Sequence, residues 1–577
     1  MRTRTRTGPP APERERPWHR FYAPGVPRDV AVPDEPLTAL LDGSAARLPR
    51  RTALVFFGRR TRYRALRGAV DRCAAGLQGL GVRHGDRVAL VLPNCPQFVV
   101  AFYGTLRIGA VAVPVNPLYT RSELRHQLAD SGAVAAVVHD GAFPAVDAVR
   151  SGTALRHVVT ASLFRELPWW LRLLLRLPLA RARETRARVD PGLPEVGEGE
   201  ARAMTYGELL SSHPARKAPY PPVRPGSTAV LQYTGGTTGT PKGAMLSHRN
   251  LVANAYQLRS WYPAARDGRE TGISVLPLFH IYGLTLGLNV GLLAGARLVL
   301  LPLFDAGLLL RAARRWKPTM MPGVPPLYDQ LLARSPEELE ALGTLRSCLS
   351  GAMRLPPETV DRFRAATGCD LVEGYGLTEA APVVLANPLN ANARPGTVGV
   401  PLPGTEVRVV DEGDATRVLG YGEAGELVVR GPQVFGGYWR DPEDTARVLR
   451  DGWLLTGDIA VMSPDGYVTV IDRKRDVINA SGFSVFPSEV EDVLMAHPAV
   501  AEAAVVAAPD PYRGETVKAC VVVREGRSLT ATALRAHAAR HLTAYKVPRI
   551  VEFRTTPLPR NLLGKVLRRE LRDSAEE

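Results

Sequence analysis

Hydrophobic and polar positions alternate in regular blocks along most of the chain. Between about residues 37 and 160, short apolar runs such as DRVALVLP and AVAAVVHD alternate with longer stretches such as FVVAFYGTLRIG and RSELRHQLADSG. The short runs are typical of buried strands, and the longer stretches are typical of helices. The same rhythm resumes after residue 225 with TAVLQYTGG, GISVLPL, ARLVLLP and SCLSGA. This order predicts an α/β fold of mostly parallel sheets covered by helices.

The pattern changes twice toward the C-terminus. From about residue 395 to 471, short strand-like runs separated by Gly/Pro turns predict a β-rich subdomain. The following residues predict a compact α+β unit, in which Ser488 and Glu491 have the spacing of a helix capping box. We therefore predict a multi-domain protein with three parts: a disordered tail (1–30), a large N-terminal domain (31–472) and a small C-terminal domain (473–577).

Composition excludes several classes of protein. The net charge of +16 suits anionic ligands, but no nucleic-acid motif accompanies it, so we predict no nucleic-acid partner. Five scattered cysteines without a C-x-x-C pair argue against structural zinc and a disulfide framework, and favour the reducing cytoplasm. The N-terminus lacks the apolar region of a secretory signal. The most apolar stretch, residues 284–304, is broken by Asn289, Gly295 and Arg297, which predicts a buried helix, a turn and a strand.

The segment YTGGTTGTPKG, residues 233–243, is the first candidate for ligand binding. Glycines let successive backbone N–H groups converge on one anion, threonine hydroxyls add donors, and a lysine adds charge. The pattern is not a Walker-type loop, because Lys242 follows a proline and precedes a glycine. It is either a flexible loop or a different solution for binding polyphosphate. The candidate residues are Thr234, Gly235, Gly236, Thr237, Thr238, Gly239 and Lys242.

Further motifs follow in a fixed order. LPLFHIYG contains His280, SGAMRL contains Gly351, and EGYGLTE contains Gly374, Tyr375, Gly376, Thr378 and Glu379. WLLTGD ends in Asp458, the stretch VIDRKRDVINASGF contains Arg473 and Gly482, and NLLGK ends in Lys565. Each motif alone has an ordinary interpretation as a turn, a solvated pair or a core histidine. Their order and spelling together resemble the adenylate-forming superfamily over residues 35–573. LQYTGGTTGTPKGAMLSHRN, SGFSVFPSEVEDVL and LTAYKVPRIVEFR are most similar to the bacterial long-chain fatty-acyl-CoA ligases.

The resemblance implies a two-step reaction with ATP, Mg²⁺ and coenzyme A. A carboxylate attacks the α-phosphate of ATP to give an acyl-adenylate and pyrophosphate, and the thiol of CoA then displaces AMP. The glycine-rich loop would enclose the β- and γ-phosphates, and Glu379 would help to bind Mg²⁺. Thr378 would contact the α-phosphate. Gly351, Gly374 and Tyr375 would line the adenine site, and Asp458, with Arg473 nearby, would bind the ribose.

The resemblance implies catalytic roles for Lys565, Thr378, Glu379 and His280, and Lys565 is the main one because it would bridge the carboxylate and the α-phosphate. The C-terminal domain would be a mobile lid that rotates between the two half-reactions. Arg475 occupies the hinge position, where many members carry Asp or Lys, and this departure leaves the hydrogen bonds of the rotation open. After rotation, Gly482 would face the pantetheine tunnel of CoA.

The acyl pocket is expected near His280, Gly323 and Gly351, within MMPGVPPLY and SGAMRL, which offer mainly apolar groups. We therefore predict a fatty acid as substrate, because burial is worth about 0.8 kcal/mol per CH₂. An aryl acid is the nearest alternative substrate, and loading of a carrier protein instead of CoA is the alternative activity. A catalytically inactive binding protein is disfavoured, because Lys565, Glu379 and the phosphate loop are all present.

Residues 164–183, FRELPWWLRLLLRLPLARAR, have no role in this chemistry. Pro168 and Pro178 predict a helix of about ten residues, with Trp169, Arg172 and Arg176 on one stripe. Two interpretations stay open: the helix lies in a lipid interface, or its leucines pack on the large domain while its arginines face water. We accordingly expect a cytoplasmic protein, with peripheral contact at the inner face of the membrane under the first interpretation. A homodimer is left open.

Overall fold

The computed structural model describes the chain in nine pieces: residues 16–180, 183, 203–213, 220, 222–234, 240–480, 483–510, 514–561 and 563–573. Within them the backbone forms four sheets. Two large, mainly parallel sheets, one antiparallel sheet and one small mixed sheet confirm the predicted α/β class, with a β-rich part and a C-terminal α+β part.

The first large sheet has seven strands and carries the glycine-rich loop. Its strands are parallel except for the last, which forms an antiparallel hairpin with its neighbour. Its central strands are buried on both faces, as is typical of parallel sheets. In spatial order the strands are Met204–Thr205, His157–Ala161, Ala135–His139, Arg87–Val91, Val111–Val115, Thr228–Thr234 and Lys242–Ser247.

The second large sheet has nine strands and carries the EGYGLTE motif. Its six central strands are parallel, and antiparallel strands close both edges. In spatial order they are Val400–Pro401, Val383–Ala386, Leu371–Gly376, Ser347–Ser350, Met320–Gly323, Thr271–Ser274, Arg297–Leu300, Thr52–Phe56 and Arg59–Arg62.

Helices cover both large sheets, and several begin at side-chain caps, for example Thr120 with Glu123 and Ser247 with Asn250. The helices are Thr38–Arg47, Tyr63–Gly79, Pro96–Arg107, Arg121–Ser131, Phe143–Arg150, Leu163–Glu166, Trp169–Leu174, Tyr206–Ser212, His248–Trp261, Gly283–Asn289, Val290–Leu293, Ala306–Trp316, Pro325–Leu332, Pro336–Leu339 and Pro357–Thr367. Short 3₁₀ turns lie at Pro17–Phe21, Asp140–Ala142, Glu340–Leu342 and Thr378–Ala380.

The β-rich part is an antiparallel sheet that ends at the boundary between the lobes. Its strands are Glu406–Val410, Ala424–Arg430, Trp453–Met462, Leu449–Arg450 and Val468–Arg473, and the helix Pro442–Val448 lies between them in sequence. The 3₁₀ turn Lys474–Asp476 then leads into the C-terminal lobe.

The C-terminal lobe packs three helices against its own five-stranded sheet. The strands are Phe483–Val485, Ile478–Ala480, Gly514–Val523, Val500–Asp510 and Ile550–Arg554, and the helices are Pro487–Met495, Ala531–Ala539 and Arg568–Asp573. Its core is separate from that of the large lobe. A separate core is what a lobe that moves as a rigid body requires.

Two local predictions are corrected by the structure. Residues 16–30, assigned to a disordered tail, are folded: Trp18 and Tyr22 are buried, and the Tyr22 hydroxyl donates to the carbonyl oxygen of Pro401 at 2.6 Å. Arginine and proline dominate that stretch, but its aromatic residues reach the core of the large lobe. Ser488 and Glu491 form no capping box, because Pro487 starts the helix and places Ser488 inside its first turn.

The apolar stretch 284–304 folds as predicted. A short helical segment ends at Leu293, Gly295 turns the chain with a φ of 63°, and the strand Arg297–Leu300 follows. In the described part of the chain, no helix is long and apolar enough to cross a membrane.

Candidate active site

The EGYGLTE motif lies at the carboxyl end of a strand in the nine-stranded sheet. Strand Leu371–Gly376 ends there, and a Cβ on Gly376 would come within 2.2 Å of the carbonyl oxygen of Pro382, so only glycine fits. The turn that contains Thr378 and Glu379 follows at once. The Tyr438 hydroxyl donates to Glu379 Oε1 at 2.7 Å and fixes this carboxylate.

A buried network links this strand end to the antiparallel sheet. The Tyr375 hydroxyl donates to Asp458 Oδ2 at 2.5 Å, and Arg473 Nε lies 3.1 Å from Asp458 Oδ1. Asp458 and Arg473 are directly opposed on neighbouring strands, which sets their pairing. Three residues predicted from separate motifs therefore meet in one cluster. Asp458 is only 4% exposed, so its carboxylate is held in one orientation for a polar ligand.

Lys565 reaches the same cluster from the C-terminal lobe. Leu563, two residues earlier, packs into the core of the large lobe, and a Cβ on Gly564 would meet the Pro326 ring at 2.8 Å. Asn561 Oδ1 accepts a hydrogen bond from the Lys565 backbone N–H at 2.9 Å and so closes the turn before Lys565. Burial, followed by the positive charge of Arg473, lowers the pKa of Lys565 to about 8. A desolvated lysine close to a second cation is suited to an anionic ligand.

The glycine-rich loop joins two strands of the seven-stranded sheet. Thr234 and Lys242 oppose each other on two antiparallel strands. Gly235, Gly236, Thr237, Thr238 and Gly239 lie outside the described residues, as does Gly482. Lys242 forms ion pairs with two carboxylates, Asp441 at 3.0 Å and Asp444. Its ammonium group is therefore paired with two carboxylates at the start of the helix Pro442–Val448.

His280 and Gly351 follow the carboxyl ends of two other strands of the nine-stranded sheet, Thr271–Ser274 and Ser347–Ser350. His280 Nδ1 accepts the Tyr282 backbone N–H at 3.2 Å, and burial lowers the pKa of His280 to about 4. The imidazole is therefore neutral at physiological pH. The Tyr282 hydroxyl lies 2.9 Å from the carbonyl oxygen of Leu349 and 3.1 Å from that of Gly323. A Cβ on Gly351 would meet this hydroxyl at 3.2 Å, so the glycine admits the tyrosine.

An apolar cavity lies against the face of the nine-stranded sheet, and His280, Gly323 and Gly351 are not part of its lining. It has a volume of about 70 Å³ and no ionisable group other than the Tyr262 hydroxyl in its lining. Pro322 and Leu349 line it next to Gly323 and Gly351, and Gly272 lines it near the opposite end of the strands. The other lining residues are Leu258, Trp261, Ile273, Ser274, Leu286, Gly287, Val290, Gly291, Leu298, Met320, Met321, Ser347 and Leu389.

Sequence reasoning missed Tyr282 and Tyr438 as parts of the site. Tyr282 lies within the quoted FHIYG motif, but its hydroxyl contacts become visible only when three strands are side by side. Tyr438 lies in GGYWRDPE, 59 positions after Glu379. No local spacing signals a contact at that sequence separation.

Comparison with known proteins gives the family. Residues 41–439 match the AMP-binding enzyme family, and residues 489–565 match the AMP-binding enzyme C-terminal domain. A long-chain-fatty-acid–CoA ligase of Bacillus subtilis (strain 168) is 39% identical over 98% of this chain and 99% of that protein. 4-Coumarate–CoA ligase 2 of Oryza sativa subsp. japonica is 34% identical over 94% of this chain and 93% of that protein.

Solved structures agree. ATP-bound MatB from Rhodopseudomonas palustris superposes with a TM-score of 0.80 at 29% identity, covering 94% of this chain and 99% of that one. The fold and the cluster at the sheet edge thus define an adenylate-forming enzyme. The chain belongs to the AMP-binding enzyme family, and it is an AMP-forming acyl-CoA ligase that uses ATP and CoA through an acyl-adenylate.

Proposed function

We propose that the acid is a long-chain fatty acid. The observation that carries this proposal is the apolar cavity lined by Pro322 and Leu349, which are close in sequence to Gly323 and Gly351. It runs beside three successive residues of neighbouring strands, such as Met320 to Pro322, which is roughly 7 Å at about 3.3 Å per residue. A lining without an acid or base disfavours amino and dicarboxylic acids, whose second charge would be buried unpaired. The relatives named long-chain-fatty-acid–CoA ligase, at 39% identity, favour an alkyl tail over an aromatic ring.

In the first step, a carboxylate oxygen attacks the α-phosphorus of ATP, and the bond from that phosphorus to the pyrophosphate oxygen breaks. Lys565 donates hydrogen bonds to the carboxylate and to an α-phosphate oxygen, which brings two anions together. Asp458 accepts additional hydrogen bonds from the ribose hydroxyls, while Tyr375 and Arg473 each hold one of its two oxygens. Thr378 contacts the α-phosphate, and neutral His280 borders the carboxylate without adding charge.

Glu379 fits a role in holding Mg²⁺, because a carboxylate oxygen is the type of donor that this hard cation prefers. Its orientation is fixed by Tyr438, and bound Mg²⁺ would neutralise charge on the phosphates. The loop residues Thr234 to Gly239 enclose the β- and γ-phosphates and release pyrophosphate.

In the second step, the thiol of CoA attacks the acyl carbon and AMP leaves. Lys565 must then withdraw, since it occupies the space next to the acyl-phosphate bond. We place the hinge at the turn Lys474–Asp476, which joins the two lobes. Gly482, carried by the same lobe, then faces the pantetheine arm.

The proposal is tested by supplying ATP, CoA and each of acetate, octanoate, palmitate, benzoate and 4-coumarate, and by measuring AMP, pyrophosphate and thioester. We expect the highest kcat/KM with palmitate. A preference for benzoate or 4-coumarate contradicts the fatty-acid assignment and leaves the ligase class intact. Adenylate formed without thioester for every acid, and transferred to a carrier protein instead, establishes the alternative activity.

We also propose that the enzyme works in a reducing compartment, the cytoplasm. All five cysteines are buried and unpaired, and Cys348 Sγ lies 3.8 Å from Cys369 Sγ without a bond between them. Labelling by a membrane-impermeant thiol reagent before and after unfolding would count five free thiols if the chain is held reduced.

A further inference from the structure

Exposed apolar side chains are concentrated in one short segment of the large lobe. Of the thirteen large apolar residues that are exposed in the described chain, six lie between residues 169 and 179. Scattered exposed apolar residues are normal, but a contiguous cluster marks an interaction site. The six are Trp169, Trp170, Leu173, Leu174, Leu177 and Leu179. We call them the apolar patch.

The apolar patch is the outer face of a firmly anchored segment. Phe164, Leu167 and Leu175 are buried in the core of the large lobe. The helix Trp169–Leu174 is shorter than the sequence predicted and ends four residues before Pro178. Its exposed residues are Trp169, Trp170, Leu173 and Leu174, whereas Arg172 of the predicted stripe is only partly exposed. An apolar face turned to solvent on an ordered segment is suited to binding a surface.

Arginines surround the patch, and the nearest carboxylate is already paired. Arg59 Nη1 lies 2.9 Å from Glu166 Oε2 and 3.0 Å from the carbonyl oxygen of Arg165. Arg176 stacks on the Phe164 ring at 5.9 Å. Arg165 and Arg176 are exposed. Arg172, on the helix itself, also faces Glu166. Four arginines, Arg59, Arg165, Arg172 and Arg176, accompany the single carboxylate of Glu166, so the local charge of these residues is positive.

We propose that the apolar patch docks the enzyme on an anionic lipid bilayer. Tryptophan and leucine enter the interface while the arginines at their base meet the headgroups. The charge disfavours a second copy of the chain, because a two-fold contact would bring the arginines of both patches together. The benefit rests on the proposed function, since a long-chain fatty acid partitions into membranes and docking would present it to the enzyme.

The test is flotation of the full chain with vesicles of phosphatidylglycerol or of phosphatidylcholine. We expect binding to phosphatidylglycerol that weakens as salt is added, and little binding to phosphatidylcholine. The double variant Trp170→Glu with Leu174→Glu should lose at least about tenfold in binding. The matched control is Leu303→Glu with Tyr421→Glu, which changes two exposed apolar residues outside the patch and should bind as the unchanged protein does.

Thioester formation with octanoate, which does not depend on docking, should be equal in all three proteins and shows that each is folded. The proposal is overturned if the double variant binds vesicles as well as the control, or if the unchanged protein binds neither lipid. It is also overturned if sedimentation shows that the unchanged protein is a dimer and that the only effect of the double variant is to make it a monomer. Activity on octanoate without any vesicle binding refutes docking and leaves the ligase function standing.

Discussion

At the scale of single residues, the surroundings of Lys565 determine the pH dependence that we expect for the proposed first half-reaction. Burial and Arg473 lower its pKa to about 8, so the free enzyme loses the ammonium proton above that pH. Since only the charged form can bridge two anions, kcat/KM for ATP–pyrophosphate exchange should be constant below about pH 8 and fall about tenfold per unit above it. A pH profile of this exchange measures the effect.

Lys565→Arg separates this group from others that titrate in the same range. Arginine stays protonated, so the residual activity of the variant should show no loss near pH 8. A variant that still loses activity near pH 8 would assign the titration to another group.

Asp458 is the second residue with a measurable role. Asp458→Asn removes the charge that pairs with Arg473 and weakens one acceptor for the ribose. Charge-assisted hydrogen bonds are worth about 1.5–3 kcal/mol, so kcat/KM for ATP should fall by about ten- to hundredfold. Tyr375→Phe deletes only the hydrogen bond to Asp458 and should cost less. Equal losses in both variants would place the effect on the network as a whole rather than on the carboxylate.

At the scale of elements, the helical segment Gly283–Asn289 and the sheet line the cavity that we propose for the acyl chain. A Cβ on Gly287, which lines the cavity, would meet Ser274 and Leu278 only at the ordinary contact distance of 3.7 Å. Gly287→Leu should therefore shorten the acyl chain that is accepted. At about 0.8 kcal/mol per CH₂, excluding three or four methylenes costs palmitate about hundredfold in kcat/KM.

The comparison of palmitate with octanoate isolates this effect. Octanoate should be used by Gly287→Leu as well as by the unchanged enzyme, and Gly287→Ala should be close to neutral for both acids. If Gly287→Leu loses both acids equally, the cavity is not the acyl site.

At the scale of the whole molecule, the two lobes are held in one arrangement by contacts that only this arrangement makes. Leu563 enters the core of the large lobe, and Arg354 on the large lobe pairs with Asp492 at 2.6 Å. Lys565 accordingly faces the cluster of Asp458 and Arg473, which is the arrangement that we propose for the first half-reaction.

Two substitutions should therefore separate the half-reactions. Lys565→Ala should cripple adenylation by about a hundredfold or more, while thioester formation from supplied acyl-adenylate is retained. Gly482→Leu should do the reverse, because it obstructs the path of the pantetheine arm. Single-turnover measurements of each half-reaction check this. Parallel loss of both steps in both variants would contradict a rotation between them.

Much of the candidate site could be predicted from the sequence because its residues lie in contiguous motifs. The strand-to-loop transition at Thr234, the turn at Glu379 and the glycine before Lys565 each depend on local backbone preferences. The alternation of apolar runs with amphipathic stretches likewise determined the α/β class, since each element buries its own periodic face. Long-range contacts are not encoded in such periods.

Only the tertiary structure decided what depends on residues that are distant in sequence. It paired Tyr438 with Glu379, gathered Tyr375, Asp458 and Arg473 into one network, and replaced the predicted capping box with helix initiation at Pro487. In the folded chain Trp18 is buried and Trp170 is exposed, although each lies within two residues of a proline and an arginine. Spacing along the chain fixes which face of an element is apolar, but whether that face is covered depends on which other elements pack against it.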